Sequence, residues 1–197
     1  MKIKNFKYFF PEKPSLMLKG DIFKRLSNDP EWIAERKYNG SRLQLHVVDG
    51  KFQFWNRHYN KFDYVPSVEL QDSLEALDLK GYCLFDGELR HNKVTGIRDK
   101  IMLYDVFIWG NQLLIDWPFC FRRALLLELI PVNGDPLGVT EWFQDQFHLV
   151  FREVLEDNEI EGLVIKHRDG RLNLGRSRPV LSKWMYKVRR PSNSYRY

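Results

Sequence analysis

Apolar and polar residues alternate along several short stretches of the chain, and each stretch predicts a β-strand. In the run Arg42–Val48, leucine and valine alternate with glutamine and histidine, and another apolar run follows at Phe52–Trp55. A period of two is typical of a strand with one buried face. The dipeptide Asp49-Gly50 separates the two runs, and this pair of residues predicts a tight hairpin turn.

The same pattern along the rest of the chain predicts further strands and several helices. The strands are expected at Trp32–Arg36, Tyr82–Arg90, Ile101–Trp109, Ile160–His167 and Leu181–Arg190. Apolar residues three and four apart predict helices, which are expected at Asp21–Leu26, Val68–Leu77, Phe121–Ile130 and Glu141–Leu155. Antiparallel hairpins interrupted by helices indicate an α+β fold with mainly antiparallel sheets and flanking helices.

Length and composition narrow the class of protein. A chain of 197 residues, 44% of them hydrophobic, is expected to form a single domain over residues 1–197. Cys83 and Cys120 lie in apolar runs and are predicted to be reduced core residues of an intracellular protein. The apolar runs are too short to cross a membrane, and lysines interrupt the N-terminal segment, unlike a signal peptide. We expect a monomer in the cytoplasm of a prokaryote or of a phage-infected cell.

Positive charge is concentrated near the C-terminus. The net charge is +5, but residues 166–197 contain ten Lys and Arg and a single Asp. That segment therefore carries +9, and residues 1–165 carry −4. Aromatic residues such as Trp184, Tyr186 and Tyr195 are interleaved with the cations. This mixture favours contact with nucleic acid over a solvated basic tail.

Four charged motifs occur in order along the chain, each at or beside a predicted strand. They are KYNGSR at residues 37–42, FDGE at 85–88, EGLVIK at 161–166 and KWMYKVR at 183–189. Two acids and several cations on separate strands can converge on an anion that also holds a metal ion. A nucleoside triphosphate has both properties, so the ordered set predicts a nucleotide-binding site.

The residue types in these motifs suit nucleotidyl transfer. Lys37 is a candidate nucleophile, because nearby cations or desolvation lower the pKa of a lysine, and Lys166 and Lys187 are the candidate cations. Glu88 and Glu161 supply the hard oxygen ligands that Mg²⁺ prefers. Lys37 alone would be better explained as a surface lysine in a turn, and Glu88 or Glu161 alone would fit an ion-paired strand carboxylate equally well. Only the occurrence of all four motifs favours the functional interpretation.

The four motifs resemble those of the ATP-dependent polynucleotide ligases and the mRNA capping enzymes. The nucleophile motif of that superfamily is KxDGxR, which KYNGSR nearly matches, and FDGEL, EGLVIK and KWMYKVR are similar to its later motifs. The similarity extends from about Lys13 to Arg190, and residues 105–127 look more like DNA ligases than capping enzymes. The resemblance implies a nucleotidyltransferase (ATP-grasp-like) domain that uses ATP with Mg²⁺ or Mn²⁺.

The resemblance implies roles at the nucleoside end of the site. Lys37 is expected to take AMP as a lysyl phosphoramidate. Glu35 is expected to read the adenine amino group, and Tyr104 to stack on the base. Arg42 and Glu88 are expected to hold the ribose.

It also implies roles at the phosphate end and on the nucleic acid. Arg57 is expected to face the phosphates, and Lys166 and Lys187 to bind the α-phosphate. Glu161 is expected to serve the metal ion together with Glu88. The residues expected to contact nucleic acid are Asn39, Arg168, Arg171, Arg176, Arg178, Arg189, Arg190 and Arg196.

The activity that the resemblance implies is ATP-dependent sealing of nicked double-stranded DNA. RNA or hybrid duplexes, and thus an RNA ligase, remain open, because Asn39 stands where most DNA ligases have aspartate. A GTP-using capping enzyme and an inactive nucleic-acid-binding module also remain open. Lys187-Val188-Arg189 replaces the usual Lys-x-Lys, and only seven residues follow Arg190. An OB-fold is therefore not expected, so either one domain performs the whole reaction or a partner supplies the rest.

Overall fold

The structure, a computed structural model, describes residues 9–15, 20–91, 96–175 and 177–190. Within these ranges, two β-sheets are flanked by helices. The helices are α1 (Asp21–Ser27), α2 (Val68–Glu75), α3 (Phe119–Leu129) and α4 (Phe147–Glu156). None of them, within the ranges just given, has the length and apolar character needed to span a membrane.

The first sheet carries most of the candidate site. Its strands, in spatial order, are β10 (Met185–Arg189), β9 (Ile160–His167), β1 (Trp32–Tyr38) and β8 (Trp142–Phe143), and all neighbours are antiparallel. In this register Gly162 lies opposite both Lys37 and Arg189. Directly opposed residues share one face of a sheet, so Lys37 and Arg189 project from the same face.

The second sheet lies on the other side of the candidate site. Its main path runs β3 (Lys51–Asn56), β2 (Ser41–Val48), β4 (Tyr82–Arg90), β5 (Lys100–Trp109) and β6 (Gln112–Leu113). β7 (Leu137–Val139) adds to β5 as a parallel neighbour, whereas the other pairs are antiparallel. The predicted α+β fold with mainly antiparallel sheets and flanking helices is therefore confirmed, and the described segments contain no OB-fold.

Several predicted elements are confirmed almost to the residue. Strands Tyr82–Arg90 and Ile160–His167 have the expected bounds. The turn between β2 and β3 places Asp49 at φ 48° and Gly50 at φ 76°. Two consecutive positive φ angles are what a two-residue hairpin turn requires, which explains why Asp49-Gly50 predicts this turn correctly.

Two predicted elements need correction. The helix expected at Glu141–Leu155 begins only at Phe147, because residues 142–143 form β8 and pair with Ala34 and Glu35. The strand expected at Leu181–Arg190 begins only at Met185. There the Ser182 hydroxyl accepts hydrogen bonds from the amides of Trp184 and Met185, which forms a turn ahead of the strand.

An apolar cluster is formed by residues of both sheets. It contains Ile33 and Met185 from the first sheet and Leu84 and Phe107 from the second. A second apolar cluster contains residues of α4 and the first sheet together with Met102 of β5, and a third contains residues of α2 and the second sheet. Cys83 is a buried free thiol, while Cys120 is also free but only half-buried.

Candidate active site

Lys37 lies at the end of β1 and forms an ion pair with Glu161 at the start of β9. The guanidinium of Arg189 on β10 lies 3.5 Å from the same carboxylate. Gly162 makes this approach possible, because its φ is 154° and a Cβ there would overlap the carbonyl oxygen of Val188. The EGLVIK motif therefore needs glycine for backbone packing, and that packing brings the acid to the lysine.

The turn after Lys37 packs directly on the second sheet. A Cβ added at Gly40 would lie 2.6 Å from Cγ of Glu88 and 2.7 Å from the carbonyl oxygen of Leu89. Only glycine allows this contact between the KYNGSR turn and strand β4. The glycine thus places Glu88 beside the turn that carries Lys37.

Glu88 is almost completely buried and accepts a hydrogen bond from the Tyr104 hydroxyl at 3.2 Å. Burial raises the pKa of Glu88 to about 7, although the positive charges of Lys37 and Arg42 act in the opposite direction. A carboxyl group in this setting gains or loses its charge near neutral pH.

Substituting Glu88 by glutamine is expected to stabilise the protein at high pH. The folded state binds the Glu88 proton more tightly than the unfolded state, so wild-type stability falls as pH rises from about 4.5 to about 7. A pKa increase of this size corresponds to about 3 kcal/mol. Urea unfolding is measured at about pH 5 and about pH 8. Relative to the wild type, the free energy of unfolding of Glu88→Gln should be higher at the higher pH than at the lower one. Glu128→Gln, on an exposed residue of α3, is the control. Parallel pH dependences in wild type and Glu88→Gln would contradict this expectation.

Arg42 is held by Asp86, a carboxylate of the FDGE motif for which the sequence predicts no role in the site. The guanidinium donates to both oxygens of Asp86, at 2.9 and 2.6 Å. A third bond, of 3.3 Å, reaches the carbonyl oxygen of Glu12. Asp86 is buried, and such a bidentate pair fixes the arginine firmly. All three guanidinium nitrogens of Arg42 thus have protein partners, and its contact with the ribose stays a prediction.

A buried ion-pair cluster forms the far end of the space between the sheets. Glu35 accepts from Arg123 of α3 at 3.0 Å and lies 2.5 Å from the Lys166 ammonium. Burial raises the pKa of Glu35, and the two cations oppose that rise. Lys166 is thus paired with Glu35, and its contact with an α-phosphate stays a prediction.

Tyr104 lies between the two ends of the space. Its hydroxyl donates to Glu88, and the Lys166 ammonium lies 5.8 Å from its ring centroid. Burial and the charge of Glu88 raise its pKa well above the ordinary value, so the phenol stays neutral. A neutral half-buried ring next to Glu88 and Lys166 is a suitable surface for stacking a nucleobase.

Comparison with known proteins identifies related sequences and folds. No family model matches the chain. A DNA ligase of Methanocorpusculum labreanum is 25% identical over 186 aligned residues, covering 82% of this chain and 33% of that protein. A DNA ligase of Methanoculleus marisnigri is 26% identical over 149 residues, covering 65% and 27%. The chain therefore spans about a third of the length of these curated relatives.

Solved structures extend the comparison to the fold. A mycobacterial DNA ligase D complexed with ATP and MES superposes with a TM-score of 0.62 at 21% identity, covering 91% of this chain and 60% of that one. The ATP-dependent DNA ligase of bacteriophage T7, complexed with ATP, gives 0.56 at 17% identity, covering 91% and 68%. The chain has the nucleotidyltransferase fold of DNA ligases. The resemblance drawn from the four motifs is thereby confirmed.

Within this ligase fold, cations collect at the Lys37 end. Lys187 is half-buried on β10, and burial lowers its pKa, with further lowering from Arg189, Lys37 and Lys13. Lys13 belongs to an N-terminal segment in which the Ser15 amide donates to the carbonyl of Met185, and the motifs do not predict it as a site residue. Mutual repulsion among these cations would be relieved by a phosphate group.

The other predicted residues lie outside these clusters. Arg57 is exposed and its Nε donates to Nε2 of His58 at 3.2 Å. Asn39 is half-buried, and its backbone N–H donates to the backbone carbonyl of Glu159. Arg168 is half-buried 5.6 Å from the Trp142 ring, and Arg190 donates to the carbonyl of Asp157. Arg171 and Arg178 are exposed. Arg176 and Arg196 lie outside the described residues, so their predicted contacts stay predictions.

Glu88 and Glu161 are the two carboxylates that the sequence predicts to serve a metal ion. Among the residues that the structure describes, no group of three or more His, Cys, Asp or Glu could hold a metal by itself. Glu88 and Glu161 both lie close enough to Lys37 for their charges to interact. Two carboxylates fit Mg²⁺ or Mn²⁺ if phosphate oxygens and water complete the octahedron, which is how Mg²⁺ commonly binds with nucleotides.

Proposed function

We propose that this chain is the nucleotidyltransferase domain of an ATP-dependent DNA ligase. The observation that carries the proposal is the position of Lys37 beside Glu161 and Arg189, two residues along β1 from Glu35, whose carboxylate pairs with Lys166 and Arg123. A nucleophile, a phosphate-binding cation and a base-recognition group therefore line one space. The curated relatives and the superposed structures that carry the name DNA ligase support the same proposal.

The proposed reaction has three steps, in which the adenylyl group is transferred twice and then released as AMP. The neutral amine of Lys37 attacks the α-phosphorus of ATP, a P–N bond forms, and the P–O bond to pyrophosphate breaks. The AMP then passes to the 5′-phosphate at a nick, which restores the free lysine. Finally a 3′-hydroxyl attacks the activated phosphate, a phosphodiester forms and AMP leaves. Positioning and charge neutralisation supply most of the acceleration in such transfers.

Different residues of the chain are proposed to assist different parts of this reaction. The Lys37 ammonium must lose its proton before attack, and the Glu161 carboxylate in contact with it is the nearest acceptor. Lys187 and Arg189 neutralise charge on the phosphates, while Glu35 and Tyr104 hold the base. Mg²⁺ or Mn²⁺, held by Glu88 and Glu161, would offset the negative charge of the triphosphate when bound.

We also propose that residues 1–197 act as one domain in an intracellular monomer. The apolar cluster shared by the two sheets supports the single domain, and two free cysteines support a reducing compartment. Size-exclusion chromatography with light scattering tests the monomer, and limited proteolysis tests the domain. A stable dimer or two protease-resistant fragments would contradict these assignments.

A labelled-nucleotide assay tests the proposed function. With α-labelled ATP and Mg²⁺, the protein should acquire covalent AMP, and GTP should label it far less. Adenylated protein should then seal nicked DNA in preference to nicked RNA. Preference for nicked RNA would instead favour an RNA ligase, which the Asn39 substitution keeps open, and preference for GTP would favour a capping enzyme. No adduct with either nucleotide would favour an inactive binding module.

Exposed arginines near the C-terminus are expected to bind the duplex backbone. Replacing Arg171 and Arg178 with alanine should weaken binding to nicked DNA and leave Lys37 adenylation near the wild-type rate. The slope of log affinity against log salt should become shallower by about 0.9 for each phosphate that the protein no longer neutralises. The matched control is the pair Arg25→Ala and Arg152→Ala, on exposed residues of α1 and α4. An unchanged salt slope in the Arg171 and Arg178 variant would place the duplex on another surface.

A further inference from the structure

Two consecutive arginines of α3 are completely buried between the sheets. Arg122 donates to both oxygens of Asp105 on β5, each at 2.8 Å, and Arg123 donates to Glu35 on β1 at 3.0 Å. Their exposed fractions are 0% and 1%. A buried guanidinium is costly unless it is paired, so each arginine fixes the carboxylate that it contacts. Of these two carboxylates, only Glu35, the partner of Arg123, belongs to the proposed base-recognition group.

Arg123 is itself held on two further sides. One of its nitrogens donates to the Thr140 carbonyl at 2.6 Å, and its guanidinium lies 4.8 Å from the centroid of the Trp142 ring. Arg123 therefore links one oxygen of Glu35 to Trp142 of strand β8 and to Thr140 just before that strand. The other oxygen faces Lys166 at 2.5 Å. Both oxygens of Glu35 thus have defined positions before a nucleotide arrives.

The orientation of Glu35 decides which base it can accept. Each carboxylate oxygen has two lone pairs, so an oxygen that accepts one bond keeps capacity for another donor. The 6-amino group of adenine is such a donor, whereas the 6-oxo group of guanine is an acceptor and is repelled. A carboxylate free to rotate would lose part of this discrimination, because it could turn away from the oxo group.

We infer that Arg123 is a positioning residue for nucleobase selection, which holds Glu35 in the orientation that accepts adenine and rejects guanine. This inference rests on the proposed function, since it takes Glu35 as the group that reads the base. Arg123 acts through Glu35 and needs no contact with the nucleotide. Its removal should therefore alter the ratio of ATP to GTP affinity more than the rate of the chemical step.

A double-mutant cycle with Glu35 tests the inference. Dissociation constants for ATP and GTP, with KM and kcat for adenylation, are measured for the wild type, Arg123→Met, Glu35→Gln and the double variant. Arg123→Met should lower the ATP-to-GTP affinity ratio about tenfold, with kcat much less affected. In the Glu35→Gln background the same change should alter the ratio by less than about twofold. Arg123→Lys keeps a cation and provides the same cycle if Arg123→Met does not fold.

Arg122→Lys is the matched control, because it removes a bidentate pair from the same helix without touching Glu35. It should lower the thermal midpoint and leave the ATP-to-GTP ratio unchanged. An unchanged ratio in both Arg123 variants, or an equal fall in the Glu35→Gln background, would overturn the inference. A wild-type protein that binds ATP but forms no adduct would contradict the proposed function instead, and the dissociation constants would still test Arg123.

Discussion

Lys37→Ala is expected to abolish formation of the AMP adduct while the protein remains folded. The Lys37 side chain is partly exposed, and its ion-pair partner Glu161 keeps Arg189 as a neighbour, so the loss of one lysine leaves no unpaired buried charge. The chemistry has no substitute nucleophile in the correct position, so adenylation should fall by at least about a thousandfold. Intact-mass spectrometry after incubation with ATP and Mg²⁺ measures this directly.

The control for this substitution is Lys51→Ala, which removes an exposed lysine of β3. It should retain full adenylation and a wild-type thermal midpoint. Peptide mapping that finds AMP on a different lysine of the wild-type protein would refute the assignment of Lys37. So would an adduct on Lys37→Ala at the wild-type rate.

Glu161→Ala is expected to reduce adenylation by at least about a hundredfold, with Lys37 still present. The substitution removes the carboxylate that contacts both Lys37 and Arg189, and with it one of the two acids proposed to serve the metal ion. The defect should deepen at low Mg²⁺. Initial rates across a Mg²⁺ series measure it, with Glu156→Ala on the exposed end of α4 as control. Full activity of Glu161→Ala at low Mg²⁺ would rule out this role.

The sequence predicts the elements whose signal is local. Tyr82–Arg90 and Ile160–His167 each contain a short apolar run, Tyr82–Phe85 and Leu163–Ile165, and both strands are predicted correctly. The helix predicted at Glu141–Leu155 is wrong at its start, because Trp142 and Phe143 pair with a strand more than a hundred residues earlier. Apolar spacing alone does not distinguish a short edge strand from the first turn of a helix.

Part of the candidate site is predictable because its residues lie in local sequence motifs. The motif positions of Lys37, Glu88 and Glu161 are readable as sequence, and the structure places these three residues near one another. Arg123 stands out in the sequence only as part of a leucine-rich helix, since its partner Glu35 lies 88 residues away. Two consecutive arginines in a largely apolar helix are the available signal, because buried cations need partners.

Lys166 shows that a motif does not by itself fix the position of a side chain. Its place in EGLVIK predicts phosphate binding, yet its ammonium lies on Glu35 and 4.4 Å from the Phe119 ring centroid. The strand register determines the position of the Lys166 side chain. Lys166 lies opposite Ile33 and Met185, toward the apolar end of the sheet. The motif specifies the residue type, whereas the register specifies which end of the site the side chain reaches.

The most direct test of the proposed ligase mechanism is a single-turnover chase. Wild-type protein is first labelled with α-labelled ATP, freed of nucleotide, and mapped by mass spectrometry. Nicked duplex DNA is then added without ATP, and the protein-bound label and the sealed strand are followed together. The mechanism predicts AMP on Lys37, followed by loss of the label as sealed DNA appears. A label on another residue, or a Lys37 label that persists while no DNA is sealed, would contradict it.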